Sequence, residues 1–302
     1  MKSPLNKPNA KKQLTFALPI MNLETKLDEL SIGSNIKMRQ LTTKEKQYLQ
    51  EQTGPFEATR PPLPRHCLEI TAEDVDPAVK KAYPVMCALR ILKSNLVGIN
   101  SFLCLEYSGG LVIRLPSGLE ADASLFRINK GIYVLEKNEK TEFLQLFNRI
   151  SSVDDKKLIL AFIRFNEIYR SQWLEATLLD LTIVLESLYL TGGAEKKFRL
   201  CCYMSSAFSS DSERDTKEIW NYVYKMYDLR SKIVHGSGRL PRKISIGKGE
   251  CRTQLSARDF VEKIEEYTRQ SIRKFMERGK KVQEVQSDIK EEIIEKIGKN
   301  IN

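Results

Sequence analysis

The segment LEATLLDLTIVLESLYL, residues 174–190, constrains this chain more than any other part of it. It is apolar almost throughout, with Asp180 and Glu186 as the interruptions. A helix that is hydrophobic on most sides has to be covered on most sides. No run of about 18 uncharged apolar residues occurs, so a bilayer is not the cover and no membrane span is expected. The rest of the chain has to supply helices that pack around this one. Thr191-Gly192-Gly193 stops it.

Its neighbours carry that pattern. DDKKLILAFIRFNEIYRSQ sets Leu158, Ile159, Phe162, Ile163, Phe165 and Ile168 on a broad apolar face, and Asp154 or Asp155 suits its start. KKFRLCCYMSSAF is a third helix, followed by the polar turn SSDSERD. TKEIWNYVYKMYDLRSKIVH is a fourth, offering Ile219, Trp220, Val223, Tyr227, Leu229 and Val234 to a core and ending at Gly236. A loop follows. Ser256 with Asp259 resembles a capping box opening SARDFVEKIEEYTRQSIRKFMER, which Gly279 closes. Residues 151–281 therefore read as a helical domain. Residues 282–302 read as an amphipathic tail, either a last helix or a partner contact.

Upstream the periodicity differs, and the expected class is α+β. Residues 66–150 read as a small mixed unit: a strand at HCLEI, then a helix from Asp76 to Leu92 that Pro84 should kink. FLCLEYS and GLVIRLP suggest a hairpin through Ser108-Gly109-Gly110, and KGIYVLEKN a further strand. Residues 1–65 read as a basic arm, mobile at its start. The arm includes a short helix through KEKQYLQEQ, capped by Thr42 or Thr43 with Glu45 in its first turn, and a Pro-rich linker at ATRPPLPR.

Charge and cysteines narrow the function classes. The chain has 49 Lys plus Arg against 39 Asp plus Glu, a net charge of +10. The surplus is five in residues 1–65 and six in residues 157–302, while the segment between is nearly neutral. An anionic partner is implied. Six cysteines without C-x-x-C spacing and only two histidines leave a zinc site few ligands. Cys201 and Cys202 read as small packing residues, and no metal or cofactor is expected. The opening MKSPLNKPNAKKQL lacks an apolar signal region, so the expected setting is cytoplasmic.

The chemistry concentrates in YDLRSKIVHG, residues 227–236, where Arg230 precedes His235 by five. Arg is a permanent cation shaped for phosphate oxygens, and His exchanges a proton near neutral pH. The pair can cleave RNA without metal, His235 as acid or base and Arg230 stabilising the phosphorane. Spacing alone is weak: Arg60 and His66 match as well, and lie at a proline linker that offers no rigid frame. His235 also suits a helix C-terminus simply as a cap, with Arg230 paired to Asp228 or Glu186. On one continuous helix, residues five apart lie about 140° apart, so convergence calls for local unwinding or a second subunit. From Arg230 to Gly249 the chain has Lys232, Arg239, Arg242, Lys243 and Lys248 and no acid, a candidate RNA path whose alternative is a solvated basic loop. Trp220, Tyr222, Tyr224 and Tyr227 are assigned to packing, with base stacking as the alternative.

AFIRFNEIYRSQWLEATLLDLTIVLESLYL, the helix with KKFRL, and YDLRSKIVHG stand in an order that resembles the HEPN superfamily, nearest its Apea-like branch. The resemblance covers about residues 155–280; ALRILKSNLVGIN is a weaker match to a lead-in segment. It implies a helical bundle, a homodimer with two R-x4-6-H motifs facing one cleft, and a metal-independent endoribonuclease of the toxin or prokaryotic anti-phage defence type. It assigns Arg230 and His235 as catalytic, with Ser231, Asp228 and Glu186 in support and Glu186 orienting the Arg. Lys232, Arg239, Arg242 and Lys243 would contact RNA, and a trigger or regulatory protein would be a further partner. A non-catalytic module that binds RNA, a nucleotide or a partner protein is the alternative, and a purely structural dimerisation domain is the third reading.

Overall fold

The computed structural model describes residues 13–53, 64–94, 96–99, 104–107, 110–114, 131–208, 213–236, 238–247 and 252–299. It is mixed α+β, with an N-terminal sheet and a C-terminal helical region. Two compact units form, one within residues 1–90 and 95–147, the other within 91–94 and 148–302.

The first unit is organised by β1 (Leu14–Met21), whose LTFALPIM is buried almost continuously. The other strands are β2 (Leu23–Thr25), β3 (Glu29–Gly33), β4 (Ile36–Gln40), β5 (His66–Ala72), β6 (Gly98–Ile99), β7 (Cys104–Tyr107), β8 (Leu111–Arg114) and β9 (Tyr133–Leu135). An antiparallel sheet runs β3-β4-β5-β1-β7-β8, with β6 also paired to β1. Residues 1–65 are therefore not a separate arm: four strands and α1 (Thr43–Thr53) belong to this unit. Pro19 stands within β1, although proline is rare in central strands. One side of β1 pairs β7 at Thr15–Ala17 and β6 at Ile20–Met21. The gap between those pairings falls at Leu18–Pro19, where Pro19 has no N–H to donate. The mobile start and the linker at 54–63 lie outside the described residues.

Other expectations hold locally. Tyr107 pairs Leu111 in the anticipated hairpin. A helix, α2 (Val75–Leu92), contains Pro84 and buries Ala78, Ala82, Val85 and Leu89. The strand expected in KGIYVLEKN is β9, which leaves the main sheet and pairs β2 in parallel. A helix at α3 (Lys140–Ser152) was not anticipated, although Phe143, Leu146, Phe147 and Ile150 are buried at helical spacing.

An ionic cluster joins α1 to the sheet. Arg39 on β4 donates Nη1 and Nη2 to Glu45 at 2.9 and 2.8 Å and Nε to Glu69 at 2.6 Å. Tyr107 also donates to Glu45, and the Thr42 backbone N–H reaches Glu45 at 2.6 Å, closing a capping box. Burial alone would raise the Glu45 carboxyl, but Arg39, Tyr107 and Thr42 outweigh it and hold the group at about 2.

The second unit contains α4 (Lys156–Glu167), α5 (Leu174–Tyr189), α6 (Lys196–Ala207), α7 (Glu213–Val234), α8 (Ala257–Glu277) and α9 (Val282–Lys299). The predicted buried helix is α5, with Leu178, Leu181, Val184, Leu185 and Leu188 fully buried and α4, α6, α7, α8 and α9 packed on it. Asp155 caps α4 and Ser256 caps α8. On α4, however, Leu158, Phe162, Phe165 and Ile168 are buried while Ile159 and Ile163 are exposed beside Leu160, so the broad apolar face is split. The tail is α9, which buries Val282, Val285 and Ile289. The loop after Gly236 holds a hairpin, β10 (Lys243–Ile246) and β11 (Thr253–Ser256). No disulfide forms among the described cysteines, and burial pushes the Cys67, Cys104 and Cys201 thiols up to about 12. Among the described residues no helix is long and apolar enough to cross a membrane.

The depressed Glu45 carboxyl sets a pH dependence. Its contribution is fully present above the unfolded carboxyl value of about 4.3 and is lost as pH falls toward 2. Glu45→Gln is expected to cost about 3 kcal/mol in urea denaturation at pH 7, with the gap to wild type closing between pH 4 and pH 2.

Candidate functional site

The sequence motif lies at the C-terminal end of α7, which packs along α5 and α6. Val223, Met226 and Leu229 turn inward and are buried, which sends Tyr224, Tyr227, Asp228, Arg230 and Lys232 to partly or fully exposed positions. Tyr222, one of the four candidate rings, stacks on Phe260 with an interplanar angle of 10° and serves packing.

The hydrogen-bond ladder continues one residue past the assigned end of α7. The His235 N–H donates to the Ser231 carbonyl at 3.0 Å, and the Gly236 N–H to the Ile233 carbonyl at 3.2 Å. Gly236 then turns the chain at φ +80°, the left-handed position that terminates a helix at low cost in glycine. The helix thus does not unwind before His235. Arg230 and His235 lie about 140° apart around its axis, and local unwinding does not bring them together.

The supporting residues divide between two faces. Arg230, half-buried, sits with its guanidinium carbon 5.7 Å from the Tyr227 ring centroid. The Tyr227 hydroxyl faces Glu186 on α5, and burial followed by that carboxylate pushes the phenol up to about 12. Glu186 thus lies beside the Tyr227 hydroxyl, and the ring of Tyr227 stands beside Arg230. The Glu186 Oε1 is buried and has no hydrogen-bond partner among the described residues. Asp228 turns the other way and pairs with Lys197 of α6 at 2.5 Å. His235 is exposed and lies about 20° from Asp228 around the axis.

The basic residues that follow are held on a frame. The Leu240 N–H donates to Glu175, in the first turn of α5, at 2.8 Å. The Arg242 carbonyl accepts from Ala257 at 3.2 Å, where α8 begins. Lys232, Arg239, Arg242 and Lys243 are all exposed. Lys248 lies outside the described residues. Glu175 and Lys197 were missed in the sequence. A carboxylate at the head of an otherwise apolar run was the signal for the first, and no local signal marked the second.

His66 is not held in a loose linker. It opens β5, buried, with Nδ1 3.1 Å from the Leu23 carbonyl, while Arg60 lies outside the described residues. Among the described residues no group of three or more His, Cys, Asp or Glu side chains is placed to hold a metal. The surface around His235 offers an exposed imidazole, a half-buried guanidinium on an adjoining face and several cations, which suits a phosphodiester.

Comparison with family models, with curated proteins and with solved structures gave no match.

Tyr227→Phe leaves the Glu186 carboxylate without its phenol and is expected to cost about 1–2 kcal/mol, read by thermal denaturation. Asp228→Asn removes a half-exposed ion pair and is expected to cost less than about 1 kcal/mol.

Proposed function

We propose that this chain is a HEPN-type, metal-independent endoribonuclease acting as a homodimer, of the toxin or prokaryotic anti-phage defence class. The observation that carries the reading is the end of α7, where Arg230 and His235 stand beside an exposed, acid-free basic run held by Glu175 and by the start of α8. The split faces of α7 favour a cleft completed by a second copy. The exposed aliphatic strip of Ile159, Leu160 and Ile163 on α4 gives such a copy an apolar surface to cover. The setting proposed is cytoplasmic, with a trigger protein as a further partner.

In this reading the 2′-oxygen of the substrate attacks the adjacent phosphorus as His235 takes its proton. The 5′-oxygen leaves, protonated by the partner subunit's His235, and a 2′,3′-cyclic phosphate remains. Arg230 faces the charge that gathers on the phosphorane oxygens. Tyr227 fixes the guanidinium, and Lys232, Arg239, Arg242 and Lys243 hold the flanking phosphates.

The alternative, a module that binds RNA without cleaving it, is favoured by the same 140° separation, since binding needs no convergence. Purified protein incubated with RNA in EDTA separates the two. Wild type is expected to cleave, and His235→Ala and Arg230→Ala each to lose at least about 100-fold. Salt-dependent binding without cleavage by wild type would instead establish the binding module. Cleavage that survives both substitutions would rule out the assigned roles.

A further inference from the structure

We propose that the face shared by α6 and α7 binds unpaired RNA bases by stacking and feeds a single strand toward His235. The inference rests on the ribonuclease reading and names the form of RNA that site takes.

Four observations carry it. Phe198 on α6 is 57% exposed and packs edge-on against Trp220 of α7, with ring centroids 5.5 Å apart. Tyr224, 47% exposed, has the Lys197 ammonium 3.2 Å from its ring centroid. One ring face is thus taken by a cation while much of the ring remains open to solvent. Lys196 and Lys217 are exposed on these two helices, while Arg199 turns to Thr191 and Gly192; among the residues whose side chains are described, the acids of this face are Glu195 and Asp228, the latter paired with Lys197. Lastly, Tyr224 and His235 are eleven residues apart on one helix, which puts them about 20° apart around the axis and about 16 Å apart along it.

The chemistry of the patch selects its occupant. Aromatic rings also serve protein interfaces; what selects RNA here is that the α6–α7 face interleaves its rings with cations. Any base can lie on an aromatic ring whatever its identity, while the cations meet the phosphates between bases. A duplex hides its base faces, so these rings discriminate against it. The strand that leaves Tyr224 along α7 crosses Asp228, whose charge Lys197 offsets, and arrives at His235.

The test measures binding in a His235→Ala background, so that its outcome is separate from that of cleavage. The probes are a fluorescein-labelled 12-nucleotide single-stranded RNA and the same sequence as a duplex, followed by anisotropy. Phe198→Leu and Tyr224→Leu keep apolar volume and remove the ring. Each is expected to weaken single-strand binding roughly tenfold while changing duplex binding less than twofold. Tyr224→Phe keeps the ring and is expected to bind like its parent, which separates loss of stacking from loss of fold. Lys217→Gln is expected to weaken both probes alike and to lower the salt dependence. Unchanged single-strand affinity in both Leu variants would overturn the proposal and leave the patch to a protein partner. Equal losses for single strand and duplex would overturn it too, as would failure of the parent protein to bind either probe.

Discussion

The helical unit depends on one requirement: α5 is apolar on most of its sides and has to be covered on them. Leu178, Leu181, Val184, Leu185 and Leu188 are fully buried, and each such side chain contributes about 1.5–3 kcal/mol relative to exposure. Covering them draws in α4, α6, α7, α8 and α9. The polar groups that fall inside are tied down in turn. Tyr189 donates to Ser271 at 3.0 Å, and Gln286 of α9 donates to the Leu188 carbonyl at 2.7 Å. Arg269 and Glu265 are buried on α8 at 2.6 Å, with the Tyr169 hydroxyl on the same carboxylate oxygen at 2.8 Å. Removing one member of such a buried group costs more than the group contributes as a whole, because a lone buried charge remains.

The position of the candidate site follows from that burial. Once α7 commits Val223, Met226 and Leu229 to α5 and its neighbours, the remaining positions are distributed by helical geometry. Tyr227 and Arg230 share one side with Glu186. Tyr224, Asp228, Ser231 and His235 share another with α6. Because the ladder runs through His235 to Gly236, the two motif residues stay on separate faces. A cleft using both is then more naturally built from two chains than from one.

Much of the helical unit was legible from the chain alone. Apolar spacing located α4 through α8, and the Asp154-Asp155 pair and Ser256 marked the starts of α4 and α8 because cap chemistry is local. The sheet unit was less legible. Residues 14–21 were not singled out as a strand, and Pro19 stands in the middle of it, where its missing N–H matters little because two partner strands leave a gap. On α4 the pattern showed a broad apolar face, but which part of it meets α5 depends on how the helices cross. Lys197 and Asp228 are 31 residues apart, and nothing in either segment announces their pairing.

The sequence by itself determined that 174–190 forms a buried helix, that a helix ends at Gly236, and that Arg230, His235 and an acid-free basic run lie together in the chain. These are consequences of period, caps and composition, which act over a few residues. Only the tertiary structure decided that β1, β3 and β4 join the sheet, that Tyr227 stands between Glu186 and Arg230, and that Phe198 and Tyr224 stay open beside Lys197. Each of those depends on which segments pack together across long separations, and packing is settled by the whole chain at once.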